Sequence, residues 1–227
     1  MRVKVRRHLN QWQEFEIDVR GKLTLLELLN RIKEDLDPSL TFRSMCRSGV
    51  CGTCAVKLSG KHVLACSTWI FQEQEITVEP IDGYEVIRDL VVDQGQVHQM
   101  LREAGVWLKP YEANAKAKWE NSRSWDCILC GVCDSVCPVL KTPSSFGGPL
   151  ALTRIHKHLL DQRNADRQST LNSLLTLKPG LCTHCMNCSY ACPKMLMPEA
   201  LIKEEENVLI MEGLIQKRSI GFDFLNF

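Results

Sequence analysis

Two stretches of twelve residues carry the same pattern in this chain. Cys127-Ile128-Leu129-Cys130-Gly131-Val132-Cys133-Asp134-Ser135-Val136-Cys137-Pro138 and Cys182-Thr183-His184-Cys185-Met186-Asn187-Cys188-Ser189-Tyr190-Ala191-Cys192-Pro193 both read C-x2-C-x2-C-x3-C-P. A third group, Cys46, Cys51, Cys54 and Cys66, lies upstream, and the three groups account for all twelve cysteines. Whatever the chain folds into has to gather each set of thiols around a common centre. The segment Met1 to Arg7 is basic, but it leads into Gln11, Gln13 and Glu14 rather than an apolar run, so no secretory signal is expected. On that reading the thiols stay reduced, and clustered spacings point to metal or redox sites rather than disulfides.

The repeated run is the one that holds iron–sulfur clusters in bacterial-type ferredoxins. Spacings of three put Cys127, Cys130 and Cys133 on one side of a loop, so three thiolates reach one cubane while Cys137 points elsewhere. In two-cluster ferredoxins the fourth cysteine of each run ligates the other cluster. Applied here, Cys127, Cys130, Cys133 and Cys192 hold one [4Fe–4S] cluster, and Cys137, Cys182, Cys185 and Cys188 hold a second. Pro138 and Pro193 fix the chain direction after each crossing ligand. The upstream group is spaced C-x4-C-x2-C with a later fourth cysteine, the plant-type [2Fe–2S] pattern. Gly49 and Gly52 allow a tight loop there and let backbone amides approach the sulfurs. The alternative is a four-cysteine zinc site. Zinc ribbons, however, use two close pairs, not three cysteines in nine residues and a distant fourth.

Around these groups the pattern of side chains predicts the fold. Val3 and Val5, then Phe15, Ile17 and Val19, alternate with polar residues and predict two strands joined by a turn near Asn10. Thr24 followed by Glu27 is a capping-box signature, and Leu25, Leu28, Leu29 and Ile32 continue at helical spacing over about 24–35. Gly60-Lys61 suggests a hairpin turn ahead of Cys66. Downstream, apolar spacing predicts helices near 149–162, 166–177 and 198–211. Residues 108–126 read as a connection, with Trp107, Trp119 and Trp125 packing against a neighbouring domain or subunit. The fold class is therefore α+β. A β-grasp plant-type [2Fe–2S] ferredoxin domain over 1–104 precedes an α-helical bacterial-type two-cluster ferredoxin domain over 105–227. His156 and His158 are expected on the helix surface, whereas His184, inside a cluster loop, is placed to tune a cluster or touch a partner.

A formal charge of +1 gives no reason to expect a nucleic-acid partner, and no apolar run approaches the ~18 residues of a membrane span. Any membrane association then comes through a partner. There is no base–nucleophile constellation and no Gly-rich dinucleotide loop, so no catalytic residue is assigned. The chain reads as an electron wire, not a catalyst.

Ile81-Asp82-Gly83-Tyr84-Glu85-Val86-Ile87-Arg88-Asp89-Leu90-Val91-Val92-Asp93, Cys46 through Ala55, Leu64-Ala65-Cys66 and Cys192 through Ile202 resemble the iron–sulfur subunit of the succinate dehydrogenase/fumarate reductase family, respiratory complex II. The resemblance covers nearly the whole chain. It implies an electron-transfer subunit with no substrate site of its own. Its partners would be an FAD-containing flavoprotein subunit facing the [2Fe–2S] domain and a membrane-anchor subunit facing the helical domain, with quinone at that interface. It also implies a peripheral location on the cytoplasmic face of a membrane. The segment 86–93 is expected as a helix or strand packed between the domains. Two departures stand out: the family has an apolar residue where this chain has Cys185, which implies [3Fe–4S] as the alternative third cluster without Cys185, and often a histidine where it has Thr183. Val139 to Thr142 also lack the family's tryptophan after Pro138. With Cys185 the chain is similar to atypical members that pair with a heterodisulfide-reductase-like subunit. A free soluble multi-cluster ferredoxin is the reading from another class.

Overall fold

The computed structural model describes residues 1–19, 21–71, 75–106, 110–112 and 123–216. The alternating valines form β1 (Arg2–Arg6), which pairs antiparallel with β2 (Trp12–Glu16), placing Val3 opposite Phe15 with both buried. After a two-residue strand β3 (Leu23–Thr24), helix α1 (Leu25–Arg31) begins at the predicted capping box. Thr24 Oγ1 accepts from the Glu27 amide at 3.2 Å, and the Thr24 amide donates to Glu27 Oε2 at 2.6 Å. The helix continues as a wider turn through Leu36. Leu25, Leu28, Leu29 and Ile32 are fully buried, as their spacing requires.

Strands β4 (Ala55–Leu58) and β5 (Lys61–Leu64) form a hairpin whose turn residues Ser59 and Gly60 both have positive φ, the conformation that matches strand twist. Short β6 (Trp69–Ile70) pairs with β3, and β7 (Ile76–Glu79) runs parallel to β1. The main sheet has the order β2-β1-β7-β4-β5 and shares one core with α1.

The segment 86–93 is a bulged hairpin of β8 (Val86–Arg88) and β9 (Val91–Val92). At its turn, Asp89 is 2% exposed and accepts from Arg7 Nε at 3.1 Å and from the amides of His8 and Thr41 at 2.9 and 2.8 Å. It staples the β1 exit to the approach of the first cysteine loop.

The rest of the described chain is helical: α2 (Gly95–Glu103), α3 (Val132–Ser135), α4 (Gly148–Leu160), α5 (Arg167–Leu177), α6 (Asn187–Ala191) and α7 (Pro198–Met211). Leu101 of α2 joins Leu152, Ile155, Leu171, Leu174, Leu177, Ile202 and Leu209 in a second core. Helix α4 packs against both α5 and α7 and is buried along most of its length. This corrects the expectation for its histidines. His156 is 1% exposed, with Nε2 2.9 Å from Glu204, and His158 is 7% exposed, with Nε2 3.2 Å from the Val106 carbonyl. One apolar stripe is visible in the α4 sequence, but the helix is enclosed on several sides. Trp125 carries the Lys157 amino group 5.3 Å from its ring centroid, while Trp107 and Trp119 lie outside the described residues.

The two cores meet at the first repeated run. Cys130 and Val132 belong to the β-domain core, and Ile128 and Ala191 pack against it.

Candidate metal centres

The upstream centre is built on the β4–β5 hairpin. Its register pairs Ala55 with Leu64, and the Ala65 amide donates to the Cys54 carbonyl at 3.0 Å, so Cys54 and Cys66 emerge side by side. Cys46 and Cys51 come from the irregular loop before it. There Cys46 Sγ accepts from the amides of Ser48, Val50 and Cys51 at 3.4, 3.4 and 3.3 Å, and Cys66 Sγ accepts from Gly49 at 3.2 Å. Gly49 and Gly52 both have positive φ, as the tight loop needs. The three amides hold the Cys46 thiol down to about 6, whereas burial pushes Cys54 up to about 11. One rim of the loop is thus prepared for negative charge and the inner ligand is not. Iron held there would supply the positive charge that keeps the inner thiol ionised.

The two repeated runs fold into two copies of one backbone. In each, the residue two after the first cysteine has positive φ (Leu129 +56°, His184 +52°), and so does the residue four after it (Gly131 +77°, Met186 +63°). A short helix then carries the third cysteine: Cys133 in α3 and Cys188 in α6. The fourth cysteines cross over. One cavity is lined by Cys127, Cys130, Cys133 and Cys192; another is lined by Cys137, Cys182, Cys185 and Cys188. Each of these two cavities thus gathers four of the cysteines named from the sequence. Among the described residues, no three His, Cys, Asp or Glu side chains converge closely enough to hold a single ion. The thiols instead line two small cavities, four to each.

Burial raises most of these thiols: Cys130 and Cys188 to about 12 and Cys182 to about 11, with the His184 amide opposing the rise at Cys182 from 3.4 Å. Asp134, next to Cys133, is fully enclosed; burial lifts it to about 7 even though Leu150 donates to it at 2.8 Å. Of the twelve cysteines, Cys185 alone is exposed.

Two features escaped the sequence reading. First, the upstream loop touches the first run directly: a Cβ on Gly52 would sit 2.8 Å from Cys130 Cβ and 2.9 Å from the Ile128 carbonyl oxygen. Tyr84 Oη donates to the Gly131 carbonyl at 2.9 Å, and Gln94 Nε2 donates to that of Cys130 at 3.0 Å. Second, His184 bridges two carboxylates on α7, with Nδ1 2.9 Å from Glu199 and Nε2 3.0 Å from Glu206. The Gly52 glycine was a partial signal for the first feature; only the fold reveals the second.

Residues 1–99 match the 2Fe-2S iron-sulfur cluster binding domain, and residues 123–196 match the 4Fe-4S dicluster domain. Joined in this fold, with three rings of cysteine, they define a multi-cluster iron–sulfur electron-transfer protein whose cofactors are [2Fe–2S] and [4Fe–4S] clusters. The chain is 34% identical to mitochondrial succinate dehydrogenase [ubiquinone] iron-sulfur subunit 1 of Oryza sativa subsp. japonica, over 77% of this chain and 66% of that protein. It is 32% identical to a fumarate reductase (CoM/CoB) subunit of Methanothermobacter marburgensis, over 88% of this chain and 41% of that protein. The chain belongs to the family of succinate dehydrogenase and fumarate reductase iron–sulfur subunits. It spans just under two thirds of the rice protein's length and less than half of the other's. Its fold also matches a chain of the Mycobacterium smegmatis Sdh1 complex in the apo form, with a TM-score of 0.79 at 20% identity, over 97% of this chain and 98% of that one.

Proposed function

We propose that the chain is the electron-relaying subunit of a succinate dehydrogenase or fumarate reductase. It would connect an FAD-containing flavoprotein subunit to a membrane-bound, quinone-linked subunit, with no substrate site of its own. The observation that carries the reading is the continuous contact between the centres. Gly52 of the upstream loop lies against Cys130, and Cys192 and Cys137 cross between the two cubane cavities. Bound there, iron–sulfur clusters supply one-electron redox chemistry at potentials set by hydrogen bonds and burial.

In this reading Cys46, Cys51, Cys54 and Cys66 hold [2Fe–2S]; Cys127, Cys130, Cys133 and Cys192 hold [4Fe–4S]; and Cys137, Cys182, Cys185 and Cys188 hold a second [4Fe–4S]. The first domain is taken to end near residue 104, with α2 at its end reaching into the second core. Met45 and Val50, exposed on the upstream loop, form the flavoprotein contact. Tyr190 and Met195, exposed near Cys185, form the acceptor contact. Among the described residues no helix is long and apolar enough to cross a membrane; in this reading partners hold the chain at the cytoplasmic face.

A second reading puts a heterodisulfide-reductase-like subunit on the acceptor side. It is favoured by Cys185 and by similarity to the Methanothermobacter protein, which is named as part of a CoM/CoB fumarate reductase.

Electron paramagnetic resonance with an iron count tests the ligand sets. The expected result is about ten irons per chain and no oxidised [3Fe–4S] signal. About nine irons with that signal would remove Cys185 from the set. Cys185→Ser should then create the signal that the native chain lacks. Co-purification of a flavoprotein is expected; its absence from native preparations would favour a free carrier.

A further inference from the structure

Helix α4 passes behind the first cubane cavity, and Leu150 and Thr153 line it. Thr153 is 1% exposed, and its hydroxyl is buried without a hydrogen-bond partner in the protein. That is an unusual state for a helical threonine, whose hydroxyl ordinarily returns to the carbonyl four residues back. Thr176 on α5 does so, donating to Asn172 at 3.0 Å, and Thr170 reaches Asp166 at 3.4 Å. A desolvated hydroxyl left unpaired is costly, so its partner is to be sought in the cavity it faces. The other polar side chains lining it are Lys194, which can only donate, and Cys127, Cys130, Cys133 and Cys192, whose sulfurs can accept. The next residue, Arg154, also has a buried Nε with no partner. This stretch of α4 therefore offers a donor to one centre.

We infer that the Thr153 hydroxyl donates a hydrogen bond to a sulfur of the cluster held in this cavity and so raises its reduction potential. The inference rests on the ligand set proposed above. Reduction adds one negative charge to the centre, and a fixed donor stabilises the more negative state. Losing the donor lowers the potential. Thr153 is a positioning and tuning residue: it carries no electron.

The test is an electron paramagnetic resonance redox titration of the cluster-loaded chain with its partners, comparing native protein with Thr153→Val and Thr153→Ser. Thr153→Val keeps the shape and removes the donor. It should shift the reduced-to-oxidised ratio of the first cubane about tenfold toward oxidised at a fixed potential, equivalent to about 59 mV for one electron. Thr153→Ser should stay near the native value, and the other two centres should not move in either variant. Full iron in Thr153→Val with an unchanged first-cubane potential overturns the inference. If Thr153→Val does not load iron, the native protein still decides. Its reduced first cubane should show a strongly coupled exchangeable proton in water that vanishes in deuterium oxide, and no such proton would also overturn the inference. The ligand reading fails separately, if Cys192→Ser leaves the first cubane's signal intact.

Discussion

The two repeated cysteine loops share a backbone but not an environment. In the first, Cys130 is buried in the β-domain core, and Tyr84 and Gln94 grip the carbonyls beside it. In the second, the equivalent Cys185 is exposed; Ala191 touches the β-domain core, but the loop's side-chain tie is within its own domain, by His184 between Glu199 and Glu206. Identical ligand spacing thus serves as an internal junction once and as an outlet once. The residues that set the difference are not the ligands. They are the two left-handed positions: Leu129 and Gly131 in the first loop, His184 and Met186 in the second.

Exchanging those positions tests the contrast most severely. A Cβ at Gly131 would lie 2.6 Å from Gln94 Nε2 and 2.7 Å from Tyr84 Oη. Gly131→Met should therefore cost about 3 kcal/mol or more in chemical denaturation of the holoprotein. The reverse change, Met186→Gly, should alter stability by no more than about 1 kcal/mol. Equal losses in the two variants would mean that the loops are not differently packed.

His184→Leu gives the second loop the side chain of the first. It leaves Glu199 and Glu206, both largely buried, without their bridge. A loss of about 1–3 kcal/mol is expected, with hydrogen exchange rising at residues 182–188 and not at 127–133. Tyr84→Phe acts on the other side and removes one hydrogen bond to Gly131. Its cost should be about 1 kcal/mol, and exchange should rise at 127–133 only.

The smallest effect is a pH dependence on α7, the helix that backs the second loop. Glu205 lies between the helix's two clamp positions in sequence. It is fully buried, with neither carboxylate oxygen hydrogen-bonded, and burial raises its pKa well above the ordinary value. Such a group is neutral in the fold while it would ionise when unfolded. Its stability contribution is complete below about pH 4 and declines as pH rises toward the folded pKa. Glu205→Gln should flatten that decline and match or exceed native stability above neutrality, as read from melting temperature against pH. A steeper decline in the variant would show that the carboxyl has a charged partner.

Much of this was legible from residue spacing. Fixed intervals between thiols constrain which of them can share a centre, and alternation along β1 and β2 requires one buried face. The capping box at Thr24 is a local device and needs no tertiary knowledge. What escaped was set by distant neighbours. The enclosure of His156 and His158 depends on helices that arrive before and after α4, so one apolar stripe understated it. Asp89 was visible as part of a family signature, yet its three donors come from residues 7, 8 and 41. Left-handed Leu129, His184 and Met186 carry no glycine to announce them; the cysteine spacing imposes those angles on ordinary residues.

The close approach at Gly52 also bears on how such a chain can change over time. A side chain there would strike Cys130, and the first cubane loop fills part of the β-domain's own interior. The halves therefore cannot be swapped between relatives as independent cassettes. A transplanted β domain has to bring the glycine, Tyr84 and Gln94 that accept this loop, and a transplanted helical domain has to bring the loop itself. Recombination within the family should respect that seam rather than the polypeptide linker.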